Sequence, residues 1–98
     1  MIFREILSRF DPSKTDISLL DIPAGAGRLS EKLREKGFKV VSADINGHKD
    51  DYVFADMNER LPFADESFDA CITLEGIEHI INYEGFIGEI SRITKRPG

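Results

Sequence analysis

The sequence has little cysteine and no cluster of basic residues. Its single cysteine, Cys71, lies inside the apolar run ACITL, so we expect a small buried side chain in a protein of a reducing, cytoplasmic compartment. Lys and Arg number 13 against 18 Asp and Glu, which leaves a formal net charge of -5. A nucleic acid is therefore not an expected partner, because binding its backbone needs concentrated Lys and Arg.

Long apolar runs are also missing. The N-terminal stretch MIFREILSRF is interrupted by Arg4, Glu5 and Arg9, which is typical of neither a signal peptide nor a membrane span. The chain has 98 residues, of which 41% are hydrophobic and 32% charged, and this suits one small globular domain. We predict a helix and linker over residues 1–16 and a core over residues 17–98.

Short apolar runs alternate with turns and helical patterns along this core. Strands are predicted over residues 17–22, 38–44, 52–56 and 68–74, because these runs are nearly continuous and suit strands covered on both faces. A helix is predicted to follow the first strand and to end near Gly37. The order indicates an α/β fold with a parallel, doubly wound sheet.

The last helical pattern covers residues 83–95. Its apolar residues recur at intervals of three and four, which predicts one buried stripe along the helix. The residues of this stripe are Phe86, Ile87, Ile90 and Ile93.

Acidic residues stand at or just after the ends of the predicted strands. They are Asp21, Asp44, Asp56 and Glu75. In open α/β sheets, ligands bind outside the carboxyl ends of the strands, where such side chains can face them. The competing interpretation is that an acid ends a strand because solvent begins there. For Asp44, which precedes the sequence Ile-Asn-Gly, a turn-starting role is a second alternative.

A glycine loop joins the first strand to the first helix, in the sequence LLDIPAGAGRLSEKL. Gly25 and Gly27 allow close approach of the backbone to a ligand, and the helix that follows offers free N–H groups. Ser30 stands where a dinucleotide-binding fingerprint has its third glycine, so the pattern alone is weak evidence for that ligand. Asp44, 19 residues after Gly25, is at the distance expected for an acid that grips a ribose.

The motifs together resemble the class I S-adenosylmethionine-dependent methyltransferases of the small-molecule type. The resemblance runs from about residue 17 to residue 98 and rests on LLDIPAGAGRLSEKL, VVSADIN, ADMNERLPFADESFDACITLEGIEHI and EISRITKRPG. It implies a Rossmann-like sheet of about four strands in the order 3-2-1-4, the N-terminal part of that fold. It also implies S-adenosylmethionine as the cofactor and a small molecule as the methyl acceptor; no metal is expected.

Carried over by position, the resemblance implies a role for each motif. The loop from Asp21 to Gly27 would hold the amino-acid end of the cofactor, Asp44 the ribose hydroxyls, and Asp56 with Met57 the adenine ring. Glu75 and Gly76 would border the methyl-transfer opening. The full set of expected cofactor-binding residues is Asp21, Pro23, Ala24, Gly25, Gly27, Asp44, Ile45, Asp56, Met57, Glu75 and Gly76.

Two residues in these motifs need a separate interpretation. Pro23 stands where the family most often has glycine, and proline fixes φ and removes an N–H donor. His79 follows the fourth strand, near the expected opening, and its pKa range suits a general base. A local hydrogen-bonding or helix-starting role for His79 is the alternative. Arg92 is interpreted as a structural or ion-pairing residue.

The resemblance also shapes the expected reaction and assembly. The expected reaction is an in-line attack of an acceptor nucleophile on the sulfonium methyl, in which the protein mainly supplies orientation. The alternative is a non-catalytic module that binds the cofactor and lacks an acceptor site. In the order 3-2-1-4 the apolar fourth strand lies at an edge, and such an edge can pair with another chain. We therefore expect either a C-terminally incomplete domain or a chain that forms a homo-oligomer, by dimerising through this edge or by exchanging elements with a second copy.

Overall fold

The computed structural model describes residues 17–46, 51–73 and 80–95. The predicted helix over residues 2–10 lies outside these ranges. The strands are β1 (Ser18–Asp21), β2 (Lys39–Asp44), β3 (Val53–Phe54) and β4 (Ala70–Ile72). The helices are α1 (Arg28–Glu35) and α2 (Tyr83–Ile93). Within these ranges, no helix has the length and apolar character needed to cross a membrane.

The four strands form one sheet in the order β3-β2-β1-β4, and every pairing is parallel. Leu20 of β1 lies opposite Val41 of β2 on one side and Cys71 of β4 on the other. The predicted fold class and strand order are therefore confirmed. The third and fourth strands are shorter than predicted, since only two and three residues of them carry ladder pairings.

The sheet is covered on both faces because successive side chains of a strand point in opposite directions. Leu19 packs with Leu33 of α1, whereas Leu20 packs with Phe86 and Ile93 of α2, and the exposure of these side chains ranges from 0% to 7%. The continuous apolar run of β1 reflects this double burial. It explains why the strand shows no alternation of polar and apolar residues.

The predicted stripe of α2 is wrong at one position. Phe86 and Ile93 are buried and Ile90 is half-buried, but Ile87 is 64% exposed. Successive helical residues are about 100° apart, so a stripe centred on Phe86, Ile90 and Ile93 turns Ile87 toward solvent. Apolar spacing alone did not distinguish the two sides of this helix.

The residue two positions before β4 is paired on the outer side of the sheet. Phe68 and Thr94 form an isolated parallel bridge, with hydrogen bonds of 3.0 Å from the Phe68 N–H to the Ile93 carbonyl and 2.7 Å from the Lys95 N–H to the Phe68 carbonyl. In the described part of the chain, no strand pairs with Ala70–Ile72 on that side. Of the predicted strand over residues 68–74, the first residue is therefore paired on this side, whereas Ala70–Ile72 form a free edge among the described residues.

Candidate functional site

Three acids lie along the edge of the sheet where the parallel strands end. Asp21 and Asp44 are the last residues of β1 and β2, and Asp56 follows β3 by two residues. Asp44 lies opposite Phe54, and Asp21 lies opposite Ser42. Asp44 therefore lies two residues further along the strand direction than Asp21. Asp21 and Asp44 are also almost fully buried, at 2% and 4% exposure. Burial of this extent is not expected if the acids merely mark where solvent begins.

The glycine loop turns the chain back against the end of β2. The Ile22–Pro23 peptide is cis, and the Ala24 N–H donates to the Ala43 carbonyl at 2.9 Å. Gly25 and Gly27 have φ angles of 57° and 83°, which disfavour residues that carry a Cβ. A Cβ built on Gly25 would meet no atom within 4 Å. The loop therefore leaves open space beside Gly25, at the ends of the strands.

Gly25 is held by its N–H and by its carbonyl. Its N–H donates to Oδ2 of Asp44 at 2.9 Å, and its carbonyl accepts from the Tyr52 hydroxyl at 2.7 Å. The other carboxylate oxygen of Asp44 accepts from the Asn46 N–H at 3.0 Å. The turn-starting alternative for Asp44 is therefore observed, but each oxygen of a carboxylate can accept a further hydrogen bond. Tyr52 was not predicted as a site residue, because an isolated tyrosine before a strand carries no motif.

Asp56 begins a tight turn after β3. Its Oδ1 accepts from the Asn58 N–H at 2.9 Å, and its carbonyl accepts from the Glu59 N–H at 3.0 Å. Met57 is half-buried and packs against the larger core cluster. Ile45, next to Asp44, is 51% exposed. The exposed Ile45 side chain and the half-buried Met57 thus lie near the acids at this edge of the sheet.

Asp21 ends a buried chain of hydrogen bonds. It accepts from Ser30 on α1, which accepts in turn from Ser42 on β2, at 2.8 Å and 2.7 Å. Burial raises the pKa of the Asp21 carboxyl, while the Ser30 hydrogen bond and the Arg34 charge lower it and the Asp44 charge raises it further. The pattern of apolar residues placed Ser30 on the helix but gave no sign of this contact.

The turn after β3 is tied to the residues that precede α2. Oδ1 of Asn58 accepts from the backbone N–H groups of Ile81 and Asn82, at 2.6 Å and 3.2 Å. Asn82 then caps α2, because its Oδ1 accepts from the Gly85 N–H at 3.0 Å. One asparagine side chain therefore fixes the spacing between the β3 exit and the start of α2.

Arg92 fastens the loop between β3 and β4 to α2. It donates to the carbonyls of Leu61 and Phe63 at 3.0 Å and 2.7 Å. It also forms ion pairs with Glu89 at 2.9 Å and Asp65 at 3.0 Å. The hydrogen bonds from Arg92 hold the pKa of Glu89 well below its ordinary value, at about 2. The interpretation of Arg92 as a structural, ion-pairing residue is confirmed.

Three expected site residues, Glu75, Gly76 and His79, lie outside the described residues. Cys71 lies inside them and is half-buried. Its sulfur is 3.2 Å from the Thr94 hydroxyl oxygen, and burial raises the pKa of the thiol. Cys71 thus behaves as a packing residue of β4 rather than as a reactive thiol.

A methyltransferase family model and methyltransferase sequence relatives match this chain. The model of the family described as "Methyltransferase domain" matches residues 20–98. A demethylmenaquinone methyltransferase of Corynebacterium urealyticum is 32% identical over 87 residues, covering 82% of this chain and 38% of that protein. A demethylmenaquinone methyltransferase of Beutenbergia cavernae is 36% identical over 89 residues, covering 82% of this chain and 37% of that protein.

Solved structures agree with the sequence relatives. The phosphoethanolamine N-methyltransferase 2 of Haemonchus contortus, solved with phosphomonomethylethanolamine and S-adenosylhomocysteine, matches with a TM-score of 0.76 and 27% identity. The match covers 99% of this chain and 26% of that protein. The chain thus spans less than half the length of these relatives.

Proposed function

Because the chain belongs to the methyltransferase domain family, we propose that it is the cofactor-binding part of an S-adenosylmethionine-dependent methyltransferase whose acceptor is a small molecule. One observation carries the proposal. The open, left-handed Gly25 is held against Asp44 at the edge where β1 and β2 end. This is the position at which open α/β sheets bind nucleoside ligands.

The described residues fit the two halves of such a cofactor. Asp44 has acceptor capacity left for ribose hydroxyls, although both of its oxygens already accept backbone N–H groups. Asp56 is assigned to the adenine amino group, with Ile45 and Met57 beside the ring. The exposed side of Ile45 supports this assignment, because an apolar face is needed to cover an aromatic ring.

The amino-acid end of the cofactor is assigned to the loop from Asp21 to Gly27. The ammonium of this end and the neighbouring sulfonium would be attracted to Asp21, and the attraction between opposite charges is strong in a partly dry cleft. A dinucleotide pyrophosphate would instead be repelled by Asp21 and Asp44, and this favours the adenosyl ligand. When bound, the cofactor supplies an electrophilic methyl group on a sulfonium. The residues of this chain bind and orient it.

The remaining assignments concern the opening and the acceptor. Glu75 and Gly76 are proposed to border the methyl, and His79 is proposed as a general base for the acceptor; their positions follow from the family motif. Demethylmenaquinone is the first acceptor to test, because it appears in the names of the sequence relatives. Methyl transfer would separate an enzyme from a module that only binds the cofactor.

Ligand-dependent stability tests the cofactor assignment. S-adenosylhomocysteine at 100 times its dissociation constant should raise the free energy of unfolding by about 2.7 kcal/mol, and NAD should not. The Asp44→Asn variant should bind the adenosyl ligand at least about tenfold more weakly, since hydrogen bonds to a charged acceptor are each worth about 1.5–3 kcal/mol.

Asp51→Asn is the matched control for this experiment. It makes the same change on an exposed side chain, which within the described residues forms a 3.8 Å ion pair with Arg34. Stabilisation by NAD instead of the adenosyl ligand would contradict the proposal. Equal affinity of wild type and Asp44→Asn for S-adenosylhomocysteine would remove the ribose assignment.

We also propose that the protein is cytoplasmic and self-associates through the outer edge of β4, at Ala70–Ile72. The single cysteine suits a reducing compartment, and an unpaired apolar strand edge favours pairing with a second chain. A net charge of -5 argues against a nucleic-acid partner. Light scattering over a range of concentrations tests self-association, and a monomer at all concentrations would contradict it.

A further inference from the structure

A directed chain of hydrogen bonds connects the surface of α1 to the carboxylate at the end of β1. Nη2 of Arg34 donates to Oγ of Ser42 at 3.1 Å, Ser42 donates to Ser30 at 2.7 Å, and Ser30 donates to Oδ2 of Asp21 at 2.8 Å. The chain crosses from α1 to β2, back to α1 and then to β1. No sequence motif assigns a role to its three donors.

The direction of the chain follows from its ends. A guanidinium can only donate, and an ionised carboxylate can only accept. The two hydroxyls between them therefore each accept from the Arg34 side and donate toward Asp21. Ser30 and Ser42 are both 0% exposed, so water cannot readily replace either link. Hydrogen bonds arranged head to tail in a buried site strengthen one another.

We propose that Ser30, Ser42 and Arg34 are positioning residues that keep the buried Asp21 ionised and oriented toward the ammonium group at the amino-acid end of the cofactor. This inference rests on the proposed function. An isolated buried carboxylate tends to take up a proton, because its charged form is poorly solvated. The chain supplies a hydrogen bond and, at its outer end, a positive charge that favour the ionised form.

Within the described residues, the other neighbours of Asp21 do not stabilise its ionised form, so the hydrogen-bond chain must do so. Asp21 lies between Ser42 on β2 and Ile72 on β4, and Ile72 is apolar. Among the charged groups that act on Asp21, Arg34 on α1 favours the ionised form, whereas Asp44 on β2 opposes it. Arg34 itself is anchored by a 3.0 Å hydrogen bond to the Val40 carbonyl. Its charge is thus fixed near the start of the chain.

The alternative is that the serines only pin α1 against β2. Two ligands separate a positioning role from a structural one. S-adenosylhomocysteine carries the amino-acid end, whereas 5′-methylthioadenosine keeps the nucleoside and lacks that end. A variant that merely loosens the fold weakens both ligands together. A variant that misdirects Asp21 weakens the first ligand alone.

The experiment measures the dissociation constants of both ligands by calorimetry on the whole chain. The Ser30→Ala variant should weaken S-adenosylhomocysteine about tenfold and leave 5′-methylthioadenosine within about twofold. Arg34→Gln keeps a donor to Ser42 but removes the charge, so it should weaken the same ligand selectively and more strongly as the pH falls. Arg34→Lys should restore binding. Lys32→Gln, an exposed change of the same charge on α1, is the control.

The outcomes are distinct. Equal changes for both ligands, or no change for either, would overturn the positioning role. If the wild type binds neither ligand, both the proposed function and this inference are wrong. If Ser30→Ala shows no cooperative unfolding, the Arg34→Gln and Arg34→Lys pair decides the question. Selective loss with Lys32→Gln would also contradict the inference, because any charge change on α1 would then suffice.

Discussion

Replacement of Glu89 by glutamine tests how α2 holds the loop between β3 and β4. Oε1 of Glu89 accepts from the Leu61 N–H at 2.7 Å and from Nη2 of Arg92 at 2.9 Å, and Oε2 accepts from Nε of Arg92 at 2.9 Å. A glutamine keeps one acceptor oxygen. Its amide nitrogen would face an Arg92 nitrogen that cannot accept, so at least one charged hydrogen bond is lost.

The expected loss is about 2 kcal/mol, within the range of about 1.5–3 kcal/mol for hydrogen bonds to charged groups. The larger penalty for breaking a buried pair, about 3–5 kcal/mol, does not apply. Arg92 keeps Asp65 and the carbonyls of Leu61 and Phe63 as acceptors. For a domain of this size, about 2 kcal/mol corresponds to a decrease of about 10 °C in Tm.

The effect has a defined pH dependence. The pKa of Glu89 is lowered from 4.5 to about 2, mainly by the hydrogen bonds from Arg92. A carboxyl whose pKa is lower in the folded state stabilises the fold above its unfolded pKa and loses that contribution as the pH falls. The difference between wild type and Glu89→Gln should therefore be constant above about pH 5 and shrink toward about pH 2.

Urea denaturation at neutral and acid pH measures both quantities. Glu59→Gln, the same change on an exposed side chain, is the control and should alter the free energy of unfolding by less than about 0.5 kcal/mol. A loss for Glu89→Gln as small as that of the control would refute the role assigned to Arg92. So would a loss of full size that persists unchanged at acid pH.

Other contacts give equally direct expectations. Asn58→Ala removes the acceptor for two backbone N–H groups and should cost about 1–3 kcal/mol, whereas Asn58→Asp keeps the acceptor and should cost less in thermal unfolding. Gly88→Ala should stabilise α2 by about 0.8–1.0 kcal/mol. Gly85→Ala should destabilise it, since the new Cβ would collide with the capping Asn82 side chain. Urea denaturation should therefore show changes of opposite sign in the free energy of unfolding for these two variants. Asp21→Asn should abolish a decrease in stability with rising pH that begins near the ordinary pKa of 3.8, because burial raises the pKa of the folded carboxyl.

The strands and the acids at their ends were predictable because they depend on local patterns, whereas the strand order followed from the family resemblance. Continuous apolar runs such as that of β1 mark strands covered on both faces, and the acid that ends each run is visible in the sequence. The exposure of Ile87 was not predictable, since its spacing fits the buried stripe as well as Ile90 does. Tyr52 contacts a residue 27 positions away, and Asn58 contacts residues 23 and 24 positions away. Such contacts leave no local pattern.

Ser30 makes contacts that comparison with the dinucleotide-binding motif does not reveal. In a dinucleotide-binding fingerprint its position belongs to a glycine that allows close packing of helix and strand. Here the helix still packs closely, since Ser30 is 0% exposed and lies 2.7 Å from Ser42 on β2. A serine is small enough for that contact, and its hydroxyl adds a donor to the acid that ends β1. The serine at the position of that glycine therefore connects α1 to both β2 and the acid that ends β1. This connection supports the proposal that the loop binds a cofactor with an ammonium group and not a pyrophosphate.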